Sequence, residues 1–531
     1  MRSMRRSLMG AVLLVALVVL ALALFGCSSS TTTTTGGGTD TTAGGGTDTT
    51  AVVANSSIVL AINDEPTSMD ALTKEDGNMR AVTEQIYEPL TGLDGKTLDP
   101  VPMLATEWSQ PDATTWQFKI REGVKFHNGD AFTVDDAVAS INKEVDPATK
   151  SEIAGNFTSI KSASKVDDTT LQIATNGPQP SLLVALSYLP IMSAKWLAET
   201  PPEQIALTTN GTGPYMMDGE WKKGVSLALK QFDGYWGPKP QVTAVDYKFL
   251  AENQTRLASL LTGESDYIMN VLPEYIPQIE EKGLKVAAGP SFEFPLIRLT
   301  SFKGPMEKID MRLAANYAVD KQGIVDSLYG GYATVPNGQA LNPTYGGYNP
   351  DLTAYPYDPA KAKELLKSAG YNNEVIQLYG ETGRWLKDSE VVTAVADQLR
   401  AVGMNVELKI VAFEEYLDIL LHRDKAPDMI FVSAGNDLFD ASRVLNSWIA
   451  TTGPLSAYGT TELDKQVTAA DQAATQEDRE AQQRELIKIS HDDPYAIVIA
   501  NSQNISGMSA RLNYTQREDS RILVSQMTLT Q

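Results

Sequence analysis

Covalent catalysis and metal chemistry need nucleophiles, proton carriers or clustered ligands, and this chain is sparing with all three. Its three histidines are His127, His422 and His491. None has a second histidine three or four residues away, the spacing that sets two imidazoles on one helix face for a metal. A lone cysteine, Cys27, excludes an internal disulfide and any cysteine-based structural zinc site. Ser162-Ala163-Ser164-Lys165 has the serine-to-lysine spacing of one hydrolase class, but the partner motifs of that class do not follow, and no G-x-S-x-G occurs. Gly95-Lys96-Thr97 ends like a phosphate-binding loop, yet its first glycine would fall at position 90, which is Leu90. Gly211-Thr212-Gly213 lacks the third glycine of a dinucleotide fingerprint and runs into Pro214, which has no N–H to offer a phosphate. It reads as a hinge or turn. These residues describe a binder rather than an enzyme, and no cofactor is expected.

The charge balance narrows the ligand and partner classes. With 44 Lys+Arg against 66 Asp+Glu the net charge is −22, a surface that repels phosphate backbones and excludes a nucleic-acid partner. Three of the positive charges (Arg2, Arg5, Arg6) precede an apolar run over residues 9–25, and then come Gly26 and Cys27. A charged start, an apolar core and a small residue before the cut make a secretory signal over residues 1–26. Leu24-Phe25-Gly26-Cys27 is similar to a bacterial lipobox, which implies that Cys27 carries the lipid and becomes the mature N-terminus. The other reading is an uncleaved membrane anchor, since the apolar run lies at the short limit for spanning. Residues 27–54 are a Ser/Thr/Gly linker in which GGGTDTTA occurs twice, and such a composition cannot bury a core.

The 531 residues are too many for one compact domain. Trp116, Phe118 and Ile120 alternate with polar residues as a half-buried strand does, and Thr133 with Asp136 opens a helix through Ile141. Val225, Leu227 and Leu229 read as a strand, as do Val245, Tyr247 and Phe249, and a helix over residues 256–261 closes at Gly263. A short helix is expected over residues 82–87. In the second half, Asp358-Pro359 caps a helix that ends at Gly370. A strand (375–378), a helix (388–402), a strand (406–410), a helix (414–421) and a strand (429–432) follow. This alternation with short links implies a parallel sheet with crossovers.

These elements carry runs that resemble a known family. Tyr87-Glu88-Pro89-Leu90-Thr91 and Leu104-Ala105-Thr106-Glu107-Trp108 are two such runs. The densest extends from Phe118-Lys119-Ile120-Arg121-Glu122-Gly123 through Phe126-His127-Asn128-Gly129-Asp130 to Asp135-Asp136. Gly211-Thr212-Gly213-Pro214-Tyr215, Gly263-Glu264-Ser265-Asp266 and Tyr357-Asp358-Pro359 continue the series in order. Together they resemble the bacterial extracellular solute-binding proteins of family 5, the dipeptide-, oligopeptide- and nickel-type receptors of ABC importers. The resemblance implies an α/β fold of two lobes around a cleft, of the periplasmic-binding-protein type II, with an extra subdomain on the N-terminal lobe. It places lobe I at 55–91, 212–292 and 499–531, the extra subdomain at 92–211 and lobe II at 293–498.

The resemblance also implies a ligand site. Asp437, with Asn436 beside it in the loop after the strand 429–432, falls where peptide-binding members pair an aspartate with the ligand's ammonium. Read as a residue alone, Asp437 is a loop acid that suits a cation if it faces a crevice. Gly383-Arg384-Trp385 resembles the segment near which such proteins hold a carboxylate; Arg384 offers a bidentate fork and Trp385 a flat apolar wall. Met79 and Arg80, ahead of the helix expected at 82–87, take a position that lines the cleft. The expected function is a lipid-anchored receptor on the outer face of the cytoplasmic membrane, or in the periplasm. As a monomer, it would capture a small peptide or peptide-like zwitterion by lobe closure and deliver it to ABC-importer permease and ATPase subunits. The rivals are a cell-surface hydrolase or peptidase, and a receptor of the same fold for an oligosaccharide, an opine or a metal chelate.

Overall fold

The computed structural model of the chain describes residues 56–74, 77–382 and 384–530. The leader, Cys27 and the 27–54 linker lie outside the described residues. Two mixed β-sheets organise the body into two α/β lobes. The first sheet runs in the order Lys285–Pro290, Asn501–Met508, Tyr267–Ile268, Ser57–Ile62, Ala244–Phe249, Ser226–Gln231 and Tyr215–Met217. Ser57–Ile62 is parallel to both of its neighbours, and the remaining ladders are antiparallel. The second sheet runs Asn405–Ile410, Val375–Gly380, Met429–Gly435, Glu293–Leu299 and Ala496–Val498. Its first three strands are parallel, as the strand–helix alternation requires. Glu293–Leu299, the strand through which the chain enters this lobe, is antiparallel to both of its neighbours, so the sheet as a whole is mixed.

Local chemistry explains where elements begin and end. In Thr115–Ile120 the inward residues Trp116, Phe118 and Ile120 are buried and their neighbours are not. The Asp136 carboxylate accepts the Thr133 N–H at 2.8 Å, and the helix Val134–Val145 starts there. Asp358 accepts from the Lys361 N–H at 2.9 Å with Pro359 at the first helical position, and Gly370, at φ +63°, ends that helix in the left-handed region. The strand expected from Val225 begins at Ser226, and Val225 is exposed.

Two expectations change. The helix expected at 82–87 lies at Gly77–Thr83, so Met79 and Arg80 are in it rather than ahead of it. It does not run on regularly because the Ala81 carbonyl, which the Gln85 N–H would take in a helix, accepts instead from the Tyr247 hydroxyl at 2.8 Å and the Gln85 side chain at 3.1 Å. Beyond it the carbonyls of Gln85 and Ile86 dock on the N–H groups of Tyr215 and Gly213. That docking also shows what Gly211 and Gly213 are for: a Cβ on Gly211 would stand 1.9 Å from the Ile86 carbonyl oxygen. The segment is a buried close approach rather than a hinge.

Residues 105–175 form a four-stranded antiparallel sheet in the order Ala105–Asp112, Thr115–Ile120, Thr170–Thr175 and Ile160–Asp167. With the helix Val134–Val145 it shares one continuous core with the first lobe. The chain passes from the first sheet to the second at Ser291-Phe292 and returns at Ile499-Ala500. The two passages run side by side: Ser291 N–H donates to Ser502 O at 3.1 Å and Ile499 N–H to Pro295 O at 2.9 Å.

Candidate functional site

Between the lobes lies a cavity of about 820 Å³, within the size range of small-molecule sites. Its walls come from segments far apart in sequence. The first lobe supplies Arg80 and Glu84 from the Gly77–Thr83 helix and the turn after it. The chain's passage between lobes supplies Phe292 and Glu293, and the second lobe supplies Arg384, Trp385 and Lys387. Asp519 and Arg521 come from the C-terminal segment.

Arg384 is held by its backbone and leaves its side chain free to project. The Asp388 carboxylate accepts the N–H groups of Arg384 and Trp385, each at 3.0 Å, which folds the loop against the start of the helix Asp388–Ala401. The exposed Arg384 guanidinium lies 5.1 Å from the Trp385 ring centre and 5.0 Å from that of Phe413, a cation–π platform that orients its plane. Trp385 is itself wedged edge-on against Tyr416 and Phe431, both at 6.0 Å. Gly383 lies outside the described residues.

Below Arg384 sits the half-buried Glu293. Burial pushes its carboxyl up to about 7, against the pull of Arg384 and of hydrogen bonds from Ser433 and Trp385. A second set of charges lines the first lobe. Arg521 pairs with Glu84 at 3.4 Å and with Asp519 at 3.8 Å, while it donates to the Ser187 carbonyl at 2.9 Å. Burial raises the Glu84 carboxyl, with Arg521 and Arg80 opposing. Arg517 clamps Asp519 in a bidentate pair at 2.8 and 2.6 Å. The cleft thus offers fixed charge of both signs on walls that carry aromatic faces.

The residues singled out in the sequence do not all meet. Arg80, Arg384 and Trp385 line the cleft together. Met79 is buried and faces a second, smaller cavity inside the first lobe. Asn436 is closed within its own turn: its side chain donates to Asp440 O at 3.0 Å and accepts from Asp440 N–H at 3.2 Å. Asp437 does not line this cavity but faces the first lobe beside it, within electrostatic reach of Tyr188, over whose ring Arg80 lies. The Asp437 Oδ1 is 3.1 Å from Arg443 Nε, and Asn156 of the first lobe approaches the Oδ2 at 3.5 Å. Sequence reasoning missed Glu84, Phe292, Glu293, Asp519 and Arg521. The cluster Arg517-Glu518-Asp519-Ser520-Arg521 was a visible signal, five residues with four charges in a C-terminal segment (499–531) whose one other charged side chain is Arg511.

His127 is structural. Its ring accepts from Gly211 N–H at 3.3 Å and meets Gly213 O at 3.0 Å, and burial lowers its pKa to about 4. Among the described residues no group of three or more His, Cys, Asp or Glu is placed to hold a metal ion.

Two α/β lobes joined by paired passages, with a charged and aromatic cleft between them, define a solute-binding protein of the periplasmic-receptor type. The chain belongs to the bacterial extracellular solute-binding proteins, family 5, whose model matches residues 99–455. Glutathione-binding protein GsiB of Escherichia coli K12 is 29% identical over 359 residues, 67% of this chain and 69% of that protein. The fold is shared with the periplasmic binding protein DppA of Helicobacter pylori, solved with the peptide STSA (TM-score 0.73, 24% identity, 89% of this chain and 98% of that one). It is also shared with the substrate-binding protein CtaP of Listeria monocytogenes (TM-score 0.81, 21% identity, 90% and 99%). The chain is thus an extracytoplasmic receptor of an ABC importer, in a family of solute-binding proteins rather than enzymes.

Proposed function

We propose that this receptor captures a small peptide or peptide-like zwitterion by closing its lobes, with Arg384 taking the ligand's carboxylate and Asp437 its ammonium. The observation that carries the reading is Arg384 itself. Its guanidinium is exposed to the cleft, stacked between Trp385 and Phe413, and poised for a planar anion. Asp437 is already neutralised in part by Arg443, so an ammonium there shares the carboxylate with that arginine. Support comes from the relatives as well, one named for glutathione and one solved with a peptide. The lobe boundaries that go with this reading are 292/293 and 498/499, next to the two passages between the sheets. The receptor acts as a monomer, anchored through lipid on Cys27, and hands its ligand to the importer's permease and ATPase subunits.

Mass spectrometry of small molecules released on denaturing the purified protein tests the proposal. Recovery of peptides with free termini supports it. Recovery of an oligosaccharide, an opine or a metal chelate instead replaces the ligand class and leaves the receptor role intact.

A further inference from the structure

Inside the first lobe, behind the Gly77–Thr83 helix, lies a second cavity of about 300 Å³ that no residue of the second lobe lines. Its walls include Met79, Tyr87, Val101, Met103, Ile153 and Leu523, drawn from the helix, a hairpin, the extra subdomain and the C-terminal segment. The charged residues at its rim are committed elsewhere. Glu88 accepts from Trp236 Nε1 and Thr212 Oγ1, both at 2.8 Å, and from the Tyr235 hydroxyl at 3.0 Å. Arg517 is engaged with Asp519. What remains for an occupant is mostly hydrocarbon, aromatic and thioether surface, of a size that takes a phenyl or indole ring.

The chamber adjoins the cleft. Arg80, Glu84 and Arg521 line both cavities. The Arg80 guanidinium lies 5.4 Å from the ring centre of Tyr188, a chamber wall, and 6.0 Å from that of Phe292, a cleft wall. Arg521 lies 4.7 Å from the Tyr188 ring while pairing with Glu84. A ligand whose polar groups rest in the cleft meets at this boundary two guanidinium groups, with an apolar space behind them.

We infer that the chamber receives an apolar side chain of the bound ligand, so that the receptor selects peptides carrying an aromatic or large aliphatic residue, with Arg80 and Arg521 as the threshold between the cleft and the chamber. The inference rests on the peptide reading for the rest of the ligand, but the chamber's own affinity for apolar groups does not.

Calorimetry with trialanine and with tripeptides bearing phenylalanine at each position in turn reads the selection. Burying one phenyl ring should favour one phenylalanine peptide by roughly ten- to a hundredfold. Val101→Trp and Leu523→Trp fill the chamber from two of its walls and should collapse that ratio toward one, with cooperative melting as the check that each variant folds. Free indole, followed by saturation-transfer NMR, should bind the wild type and be excluded by the filled variants. Indole binding of that pattern without any peptide binding sustains the chamber and removes the peptide reading. Tripeptides bound without preference, together with indole that is unbound or indifferent to both tryptophans, overturn the chamber and leave the peptide reading standing. Failure of both ligands overturns both.

Discussion

Lys387 Nζ of the second lobe lies 3.0 Å from Glu274 Oε1 of the first, an ion pair across the mouth of the cleft. Lys387 stands at the start of the helix Asp388–Ala401, beside Arg384 and Trp385, so the pair fastens this stretch of the cleft wall to the opposite lobe. Apolar contact adds to this junction. Leu93 and Leu98, from the hairpin of the first lobe, belong to the same buried cluster as Phe294, Leu296 and Tyr345.

The pair is partly exposed, and such bridges contribute about 0.2–1 kcal/mol. Lys387→Ala is therefore expected to loosen closure without abolishing it. The radius of gyration of the unliganded protein, measured by small-angle scattering, should rise, and ligand affinity should fall by less than about tenfold. Raising the salt concentration should shrink the difference between variant and wild type. An unchanged radius and unchanged affinity would remove Lys387 from the closing motion.

Arg384 supports a sharper test. Arg384→Ala removes a charged hydrogen-bond donor of a kind worth about 1.5–3 kcal/mol, or roughly ten- to a hundredfold in affinity. Arg384→Lys keeps the charge and loses the planar fork and its stacking on Trp385 and Phe413, so it should recover only part of the loss. Amidating the ligand's C-terminus should weaken wild-type binding strongly and Arg384→Ala binding little. Isothermal calorimetry of the four combinations gives the coupling, and equal losses in both proteins would show that Arg384 does not hold the carboxylate.

Much of this architecture was legible in local sequence. The proline at the first turn of Pro359–Ser368, the aspartate before it and the glycine after it each act within a few residues, and the structure uses all three. The same holds for the alternation in Thr115–Ile120. The Gly77–Thr83 helix was misplaced because its end is set by Tyr247, which takes the Ala81 carbonyl, and the turn after it by Gly213 and Tyr215, all more than a hundred residues away. The cleft was only half visible for a related reason. Arg384 and Trp385 lie in a short, distinctive loop, whereas Glu293 begins a strand that reads as core. Arg521 follows residues with no regular period, and only the sheet order brings both to Arg80. Asp437 could be located after its strand, but its pairing with Arg443 six residues on depends on the turn between them.

Acid–base behaviour should betray the buried Glu88. Burial pushes its carboxyl from an ordinary value of 4.5 up to about 7, although hydrogen bonds from Trp236, Thr212 and Tyr235 oppose this. Between those values the folded chain keeps a proton that the unfolded chain has released. Its contribution to stability is therefore complete below about pH 4.5 and is lost as the pH rises through 7. Tm measured by circular dichroism should carry a falling component of a few degrees over that window. Glu88→Gln, which imitates the protonated acid, should flatten that component. Glu144, raised to about 7 by burial, should keep a residual slope in the variant. A wild-type slope that survives Glu88→Gln unaltered would assign the titration to other groups.

The lipid anchor is tested at a residue outside the described body. Cys27→Ser should leave the signal uncut or release the chain from the membrane fraction, because two acyl chains supply nearly all the anchoring at about 0.8 kcal/mol per buried methylene. Fractionation with N-terminal sequencing reads both outcomes, and a membrane-bound variant with a mature N-terminus would exclude lipid on Cys27.

Asp437 and Arg443 give the most discriminating prediction, because the two residues should change affinity in opposite directions. Their side chains meet at 3.1 Å and are partly exposed, so in the unliganded protein the carboxylate is shared with an arginine rather than idle. If a ligand ammonium binds Asp437, it competes with that arginine. Asp437→Ala should weaken binding roughly ten- to a hundredfold, the range of a hydrogen bond to a charged group. Arg443→Gln should strengthen it by a few-fold, since the carboxylate is then free and a like charge is gone. N-acetylating the ligand should cancel both effects, leaving wild type, Asp437→Ala and Arg443→Gln nearly equal, because each change acts on the same ammonium. Calorimetry on three proteins with two ligands provides the six affinities. Weaker binding by Arg443→Gln together with additive losses on acetylation would mean that the pair only braces the loop after Met429–Gly435, and the ammonium would then belong to the acids of the cleft, Glu293 foremost.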